Sequence, residues 1–369
     1  MEWQAARRKD SIPVRDPFIL NGEVDKLERQ AADYMGVADC VLVDRASDGI
    51  TLALKAAGVG RGDAVLCTPL GNSALIGAVR RTGGEPMFVD INPNSFTIDP
   101  YCLEYVVNKC RREKKPTPKA LLATDLFGMP CHYVMLDQIC SRYGIHLIAD
   151  MQGSLGASVC GEKSGRFGRF AVASFFEEDS LGGLGSDGAI FCRQREDAAF
   201  LRQLRGGAEQ QTFEKEPFAV DKDAQGVLIG KKLGQFDSDA AKRRKIAGWY
   251  RDGLSEYVRV QEEREGFRSA CTRFAILLPD NDSRDRVMEK LTEEHIPCTV
   301  FCPVPLHKRK EFDWGRVILV NAEQVSRKML LLPMHPYLSK NVVDYICRCV
   351  IDAVREPAPQ TDQAMAVAL

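Results

Sequence analysis

The feature that most constrains the fold is a regular alternation of apolar and amphipathic segments between residues 40 and 149. Short apolar runs typical of buried strands occupy residues 40–43, 64–67, 86–89, 119–123 and 146–149. Segments with apolar residues at helical spacing separate them, at 50–57, 73–82, 100–112 and 133–143. Strands that alternate with helices in this way form a parallel sheet with helices on its faces. The sequence therefore predicts an α/β fold with a mostly parallel sheet.

In sheets of this kind, ligands bind where the parallel strands end at their carboxyl side. The candidate ligand loops are therefore 44–49, 68–72, 124–130, 150–156 and 174–187. The last loop contains three consecutive acids, Glu177, Glu178 and Asp179, followed by a glycine-rich run. Adjacent carboxylates repel one another and are costly to bury, so their position beside a ligand loop needs an explanation.

The pattern changes at about residue 235. A long basic helix predicted over 235–260 is typical of a connector, and the segments after it indicate a smaller α+β domain: a strand at 273–278, a helix at 283–294, a strand-like segment at 298–301 and a helix at 339–354. We therefore predict four parts: an N-terminal extension at 1–22, a large domain at 23–235, a connector helix with a small C-terminal domain at 236–355, and a tail at 356–369 whose lack of periodicity predicts disorder.

The composition excludes several classes of protein. Hydrophobic residues make up 45% of the chain and the formal net charge is −1, without the basic excess of a dedicated nucleic-acid binder. No apolar run approaches the roughly 20 residues of a membrane-spanning helix, and the first residues lack the apolar region of a signal peptide. The 13 cysteines are dispersed without a CxxC pair, which argues against zinc and fits a reducing compartment. We therefore expect a cytoplasmic protein that binds no metal, nucleic acid or membrane.

Several short motifs occur in the order of a known family. ASDGI at 46–50 precedes LAL at 52–54, and further motifs follow at GRGD 60–63, GGEP 83–86, DLFG 125–128 and LPMHP 332–336. In this order they resemble the sugar aminotransferases typified by the StrS and DegT proteins. The resemblance implies fold type I, in which a large domain with a mostly parallel sheet is joined to a smaller C-terminal domain. It also implies an enzyme that uses pyridoxal phosphate (PLP) to aminate keto-sugars carried on nucleotides.

The resemblance also assigns cofactor-binding positions. Ala46, Ser47 and Asp48 match the phosphate turn, where N–H groups at a helix start suit a phosphate; the alternative is plain capping by Ser47 or Asp48. Ser174 matches a serine that contacts the phosphate, or it satisfies a neighbouring backbone group. Asp150, at the end of a buried strand, matches the acid that pairs with the pyridinium nitrogen; capping or a structural ion pair is the alternative.

Other positions depart from the family's pattern. The aromatic residue that stacks on the PLP ring falls at 70–72, where the chain has Leu-Gly-Asn, and the glutamine or histidine after the family's aspartate falls at Gly153. The family's NYR element falls around 218–220, where the chain has Phe-Ala-Val. We predict Asn72, Gly153 and His307 as positions on the substrate side, without a catalytic role for His307.

The family's central residue, a lysine that bonds covalently to PLP and shuttles the proton in transamination, is missing. The glycines within 174–189 fix the register and place Asp179 at the lysine position. No lysine lies between Lys163, which is predicted in a surface turn, and Lys215. A carboxylate cannot form an imine and brings negative charge towards a phosphate site. The sequence therefore leaves open whether Asp179 has a catalytic role, and predicts that PLP, if it binds at all, is held non-covalently.

Three functions remain open. The first is a degenerate family member that has lost conventional transamination and binds a nucleotide-sugar, or forms the non-catalytic half of a pair with an active paralogue. The second is an enzyme with altered, dehydratase-like chemistry, in which Asp179 moves protons. The third is an ordinary keto-sugar aminotransferase whose lysine has been changed. The losses are concentrated in the cofactor site, which favours the first function, as a homodimer or as a heterodimer with an active paralogue.

Overall fold

The computed structural model describes residues 22–113, 118–175, 181–182, 188–208, 222–310 and 317–356. Asp179 with its acidic neighbours, the segment 218–220, and almost all of the predicted extension and tail lie outside the described residues.

The first part of the chain confirms the predicted alternation of strands and helices. The elements are α1 (Glu23–Met35), β1 (Asp39–Val43), α2 (Ala46–Ala56), β2 (Ala64–Cys67), α3 (Ser73–Arg81), β3 (Glu85–Phe88), α4 (Pro100–Arg112), β4 (Ala120–Thr124), α5 (Tyr133–Tyr143) and β5 (His146–Asp150). Short strands and the rest of the main sheet follow: β6 (Ser158–Val159), β7 (Glu162–Lys163), β8 (Phe170–Ser174), β9 (Gly188–Cys192) and α6 (Arg195–Ala208).

The C-terminal part begins with one long helix, α7, and continues with short strands and three further helices. Its elements are α7 (Lys222–Leu254), β10 (Arg259–Val260), β11 (Phe267–Arg268), β12 (Phe274–Leu277), α8 (Asn281–Glu293), α9 (Val320–Lys328), β13 (Met329–Leu332) and α10 (Lys340–Arg355).

The main sheet has seven strands in the order β1-β9-β8-β5-β4-β2-β3. β9 is antiparallel to both of its neighbours, and the pairs from β8 to β3 are parallel, so six strands run in one direction. Apolar residues of α2, α3 and α6 cover one face, and apolar residues of α1, α4, α5 and α7 cover the other. This mixed α/β architecture with a mostly parallel sheet is the predicted fold class.

Helix α2 begins at Ala46 rather than at the predicted residue 50. Gly49, which was included in a turn, lies inside the helix and against the sheet. A Cβ at Gly49 would be 3.1 Å from Val172, 3.2 Å from Val43 and 3.3 Å from Ile190. The glycine is therefore needed for close packing of the helix on the sheet. The polar residues before it, Ser47 and Asp48, belong to the first turn of the helix.

Helix α7 begins at Lys222 rather than at the predicted residue 235. Its first half buries Ile229 and Leu233 against the main sheet, whereas its second half buries Ile246 and Tyr250 in a separate core. Because the two halves bury different sides, no single apolar stripe marks the whole helix in the sequence.

The separate core lies between α7, α8 and α10 and a three-stranded antiparallel sheet, β10-β12-β13. The strand-like segment at 298–301 contributes only a single bridge, between Thr299 and Leu331. The predicted domain boundaries stay predictions. Of the helices that the structure describes, none is both long enough and apolar enough to cross a membrane.

Candidate functional site

The carboxyl ends of the parallel strands bring the predicted cofactor residues to one edge of the main sheet. Gly188, at the start of β9, lies between Ser174 on β8 and Val43 on β1. A Cβ at Gly188 would be only 2.9 Å from the backbone N and Cα atoms of Ala46 and from the carbonyl oxygen of Ala173. The glycine therefore lets the start of α2 approach the strand that carries Ser174.

The start of α2 has no side-chain cap. The N-cap residue is Arg45, so Ser47 and Asp48 lie in the first turn of the helix and not at the N-cap position. The carbonyl oxygen of Ser47 accepts hydrogen bonds from Thr51 Oγ1 at 3.0 Å and from Arg81 Nη2 at 2.9 Å. The first N–H groups of a helix have no partner within the helix, and together with the helix dipole they suit a phosphate.

Asp48 places an acid in this first turn. Arg81 compensates for it, because Nη2 of Arg81 lies 3.2 Å from Oδ1 of Asp48. Partial burial raises the pKa of Asp48 above its ordinary value, against the attraction of Arg81. The paired Asp48 therefore opposes an incoming phosphate less than an isolated carboxylate would.

Asp150 ends β5 and has an incomplete set of hydrogen bonds. The residue is 1% exposed, and Oδ1 accepts a hydrogen bond from the N–H of Gln152 at 3.3 Å. Oδ2 is buried and has no hydrogen-bond partner among the described residues. Burial raises the pKa of Asp150 to about 7. No ion pair to Asp150 occurs in the described part of the chain, so the structural ion pair that was its alternative role is not found there.

The main chain of Asp125 lies next to that of Asp150. Asp125 begins the DLFG motif at 125–128, and the sequence did not predict a role for it. Its backbone N–H donates to the carbonyl oxygen of Asp150 at 2.9 Å. Its carboxylate accepts hydrogen bonds from Cys131 N and Tyr133 Oη, both at 2.7 Å, and from Ser154 Oγ at 2.5 Å. Ser154 lies in the turn that follows Asp150, so Asp125 contacts both the main chain of the candidate acid and the turn after it.

The predicted substrate-side residues Asn72 and Gly153 lie in the loops after β2 and β5. Asn72 is exposed and its Oδ1 accepts a hydrogen bond from Ala74 N at 3.0 Å, which caps α3. A Cβ at Gly153 would have no neighbour closer than 4.0 Å, so the structure leaves room there for a side chain. Leu70 is fully buried in the core, and this position therefore offers no side chain to stack on a ring.

His307 is buried against α9. Its Nε2 lies 3.1 Å from Oε1 of Glu323, its ring packs near Phe88, and its Nδ1 has no partner among the described residues. Burial lowers the pKa of His307, which favours a neutral ring. These contacts support a packing role, and the predicted place on the substrate side stays a prediction.

Two described lysines, Lys163 and Lys232, could be considered as covalent anchors for PLP, but the amine of each already contacts other residues. Lys163 lies in β7 and is partly buried, not in the predicted surface turn; its Nζ lies 3.0 Å above the ring of Tyr34 and 3.8 Å from Asp237. Lys232 on α7 donates a hydrogen bond to the carbonyl oxygen of Gly182. The described residues also contain no group of three His, Cys, Asp or Glu side chains that could hold a metal ion.

Comparisons with known proteins identify the family of the chain. The sequence profile of the DegT/DnrJ/EryC1/StrS aminotransferase family matches residues 14–351. The UDP-2-acetamido-2-deoxy-3-oxo-D-glucuronate aminotransferase of Pseudomonas aeruginosa is 28% identical over 93% of this chain and 96% of that protein. A pleiotropic regulatory protein of Geobacillus stearothermophilus is 29% identical over 94% of this chain and 93% of that protein.

A solved structure shows the same fold. The DegT DnrJ EryC1 StrS aminotransferase of Brucella abortus is 28% identical and superimposes with a TM-score of 0.84, over 92% of each chain.

Proposed function

Because the chain belongs to the DegT/DnrJ/EryC1/StrS aminotransferase family of fold-type-I PLP enzymes, we propose that it is a PLP-binding member that does not act as a conventional transaminase. One observation carries the proposal: Asp150 keeps a buried, unpaired carboxylate oxygen at the sheet edge where α2 begins. The chain keeps groups that suit PLP, whereas the sequence has no lysine in 164–214, where the family's covalent anchor is expected.

The described residues fit the two ends of PLP. Oδ2 of Asp150 is an unpaired hydrogen-bonding group that a ring nitrogen would satisfy. The first turn of α2 and Ser174 on β8 lie on either side of Gly188 and would hold the phosphate. When bound, PLP supplies the electron sink for amine chemistry.

The missing lysine changes what the site does. Conventional transamination needs a lysine amine that bonds to PLP and then moves protons. Asp179, at that position, has a carboxylate instead of an amine, so it cannot bond to PLP as the lysine does. The amine of Lys163 contacts the ring of Tyr34 and the carboxylate of Asp237. We therefore propose that PLP is held non-covalently, and that the protein is a ligand-binding homologue or the non-catalytic half of a pair.

The proposed ligand class is a keto-sugar carried on a nucleotide. The name of the P. aeruginosa relative describes an aminotransferase of a UDP-linked sugar. The name of the G. stearothermophilus relative describes a pleiotropic regulatory protein and does not mention a transaminase activity. We propose a dimer, either of identical chains or with a lysine-containing paralogue, and native mass measurement with and without that paralogue tests this.

A reducing compartment is also proposed. Among the 13 cysteines, Cys160 is exposed and the others are buried or half-buried. Many cysteines dispersed through a core without a CxxC pattern are typical of cytoplasmic proteins, and fractionation of the native host tests this location.

The test of the proposed function is a PLP titration followed by borohydride. We expect saturable changes in the visible spectrum of PLP, and we expect all the PLP to leave on denaturation after borohydride treatment. Asp150→Ala should abolish saturable binding, because it removes the partner of the ring nitrogen. Lys232→Ala is the matched control and should bind PLP like the unchanged protein.

Two outcomes would contradict the proposal. PLP that remains bound to a lysine peptide after borohydride and denaturation would restore a covalent anchor, and peptide mapping would identify that lysine. A spectrum of free PLP at every protein concentration would show that the site no longer binds PLP.

A further inference from the structure

Arg81, the last residue of α3, contacts the first turn of α2 through three hydrogen bonds. Its Nη2 donates to the carbonyl oxygen of Ser47 at 2.9 Å and to Oδ1 of Asp48 at 3.2 Å. Its Nε donates to Oγ1 of Thr51 at 3.2 Å, and that hydroxyl donates in turn to the carbonyl oxygen of Ser47 at 3.0 Å. One planar guanidinium group therefore holds both the main chain and two side chains at the start of the helix.

The same turn leaves two N–H groups open. The N-cap residue Arg45 forms no side-chain cap, and its carbonyl oxygen accepts hydrogen bonds from the N–H groups of Asp48 and Gly49, both at 3.0 Å. No acceptor among the described residues pairs with the N–H groups of Ala46 and Ser47. Free N–H groups at a helix start suit an anion. The direction of the Ser47 N–H group depends on the peptide units of this turn, and Arg81 holds one of them by its carbonyl oxygen.

The open N–H groups lie where the proposed function needs a phosphate site. A Cβ at Gly188 would be 2.9 Å from the backbone N of Ala46, and Gly188 pairs in register with Ser174. A separate observation at this edge of the main sheet also indicates a ligand, because Oδ2 of Asp150 is buried without a partner in the described part of the chain.

Arg81 also decides the charge at the start of α2. Burial raises the pKa of Asp48, and the charged groups that act on this acid are Arg81, Arg45 and Asp44. The set contains two acids and two arginines, so its formal charges cancel. Without Arg81 one negative charge would remain beside the open N–H groups, and it would repel a phosphate.

We propose that Arg81 is a positioning residue for a phosphate at the start of α2, because it fixes the carbonyl group of Ser47 and neutralises Asp48. Arg81 does this without touching the phosphate, through the turn that receives it. The identity of the ligand as PLP rests on the proposed function, whereas the effect of Arg81 on the turn does not.

The first test uses the protein without ligand. We expect the amides of Asp48 and Gly49 to exchange hydrogen several-fold faster in Arg81→Ala, because a loosened turn opens their hydrogen bonds to Arg45. Arg142→Ala is the matched control. It also removes an exposed ion pair between two helices, since Nη1 of Arg142 lies 2.6 Å from Glu104, and it should leave the exchange of these two amides unchanged.

The second test compares PLP with pyridoxal, which has the same ring but no phosphate. We expect Arg81→Ala to weaken PLP about tenfold, as for one uncompensated charge near the phosphate, and to leave the affinity for pyridoxal unchanged. A residue with only a structural role would lower both affinities together. Arg142→Ala should bind both compounds like the unchanged protein.

Two further variants separate charge from geometry. Arg81→Lys keeps the charge and should lose less PLP affinity than Arg81→Ala, although one ammonium group cannot reproduce all three hydrogen bonds. Adding Asp48→Asn to Arg81→Ala removes the uncompensated charge and should recover part of the PLP affinity. No recovery in this double variant would contradict the neutralising role of Arg81.

Unchanged exchange of the Asp48 and Gly49 amides in Arg81→Ala would overturn the inference, whether or not PLP binds. Equal losses of affinity for PLP and pyridoxal would overturn it as well. If the unchanged protein binds no PLP, the proposed function fails, and the exchange experiment still decides whether Arg81 holds the first turn of α2.

Discussion

Two glycines at the edge of the main sheet differ in the space around them. A Cβ at Gly188 would be 2.9 Å from backbone atoms of Ala46 and Ala173, whereas a Cβ at Gly153 would have no atom closer than 4.0 Å. We expect Gly188→Ala to displace the start of α2, to lower the free energy of unfolding by about 1–3 kcal/mol, and to weaken PLP binding. Gly153→Ala should change neither property. Urea unfolding and PLP titration of both variants measure these effects.

Equal behaviour of the two variants would show that the close approach of α2 to β9 is not needed. A loss of stability in Gly188→Ala with unchanged PLP affinity would separate the packing role of the glycine from the phosphate site.

His307 provides a prediction about stability rather than about binding. Its Nε2 and Lys308 both approach Oε1 of Glu323 at 3.1 Å, and its side chain is fully buried. His307→Gln should leave Glu323 with a poorer partner and lower the free energy of unfolding by about 1–3 kcal/mol. The affinities for PLP and for a nucleotide-sugar should not change. A weaker sugar affinity with unchanged stability would instead place His307 on the substrate side.

Of the two acids at the edge of the main sheet, the sequence predicted a role for Asp150 but not for Asp125. Asp150 was predicted because an acid directly after a buried strand is a local signal. The role of Asp125 depends on Tyr133, 8 positions away, and on Ser154, 29 positions away. Such contacts exist only in the folded chain, so spacing alone could not assign them.

At the scale of elements, helices with clear end signals were predicted to the residue. Asp99 caps α4, with Pro100 at its first position, and Gly144 ends α5 in the left-handed conformation; both helices have the predicted bounds. The start of α2 was predicted too late. A glycine is needed at position 49 because the helix packs closely on the sheet there, and not because the chain turns.

The start of α9 is held by a residue from another element. The carboxylate of Asp90, which follows β3, accepts hydrogen bonds from the N–H groups of Asn321 and Ala322, both at 3.0 Å. Asp90→Ala should cost about 1–2 kcal/mol and expose the amides of α9 to exchange. Hydrogen exchange over residues 320–328 measures this effect.

Asp99→Ala is the matched control, because Asp99 caps α4 within its own segment. This variant should increase exchange in α4 and leave α9 protected. Increased exchange in α9 for both variants would indicate general destabilisation and contradict the specific role of Asp90.

At the scale of the whole molecule, alternation and motif order were sufficient for the fold class but not for the strand order. β9 lies between β1 and β8 and runs against both, although the sequence of β9 resembles a parallel strand in its continuous apolar run. The register is set by contacts such as Cys40 with Phe191, which join residues far apart in the chain. Local periodicity carries no information about such pairs.

The buried carboxyl group of Asp150 lowers the free energy of unfolding of the whole protein at high pH. At pH 8 the carboxyl of Asp150 is ionised and buried without a cation among the described residues. Each unit of pKa elevation costs about 1.4 kcal/mol above that pKa. We therefore expect Asp150→Asn, without ligand, to be more stable than the unchanged protein at pH 8 by roughly 1–4 kcal/mol. Below about pH 4 the acid is protonated in the unfolded chain as well as in the folded state, and the two proteins should be similar.

Asp39→Asn is the control of opposite sign. Arg202 lies 2.8 Å from the Asp39 carboxylate and lowers its pKa, so the ion pair contributes stability above the ordinary pKa of the acid, and the variant should be less stable at pH 8. PLP should raise the Tm of the unchanged protein and of Asp39→Asn, because a ligand that binds the folded state stabilises it. It should not raise the Tm of Asp150→Asn. If Asp150→Asn were less stable at pH 8, or still stabilised by PLP, the buried acid would be a structural residue and not the group that receives a ring nitrogen.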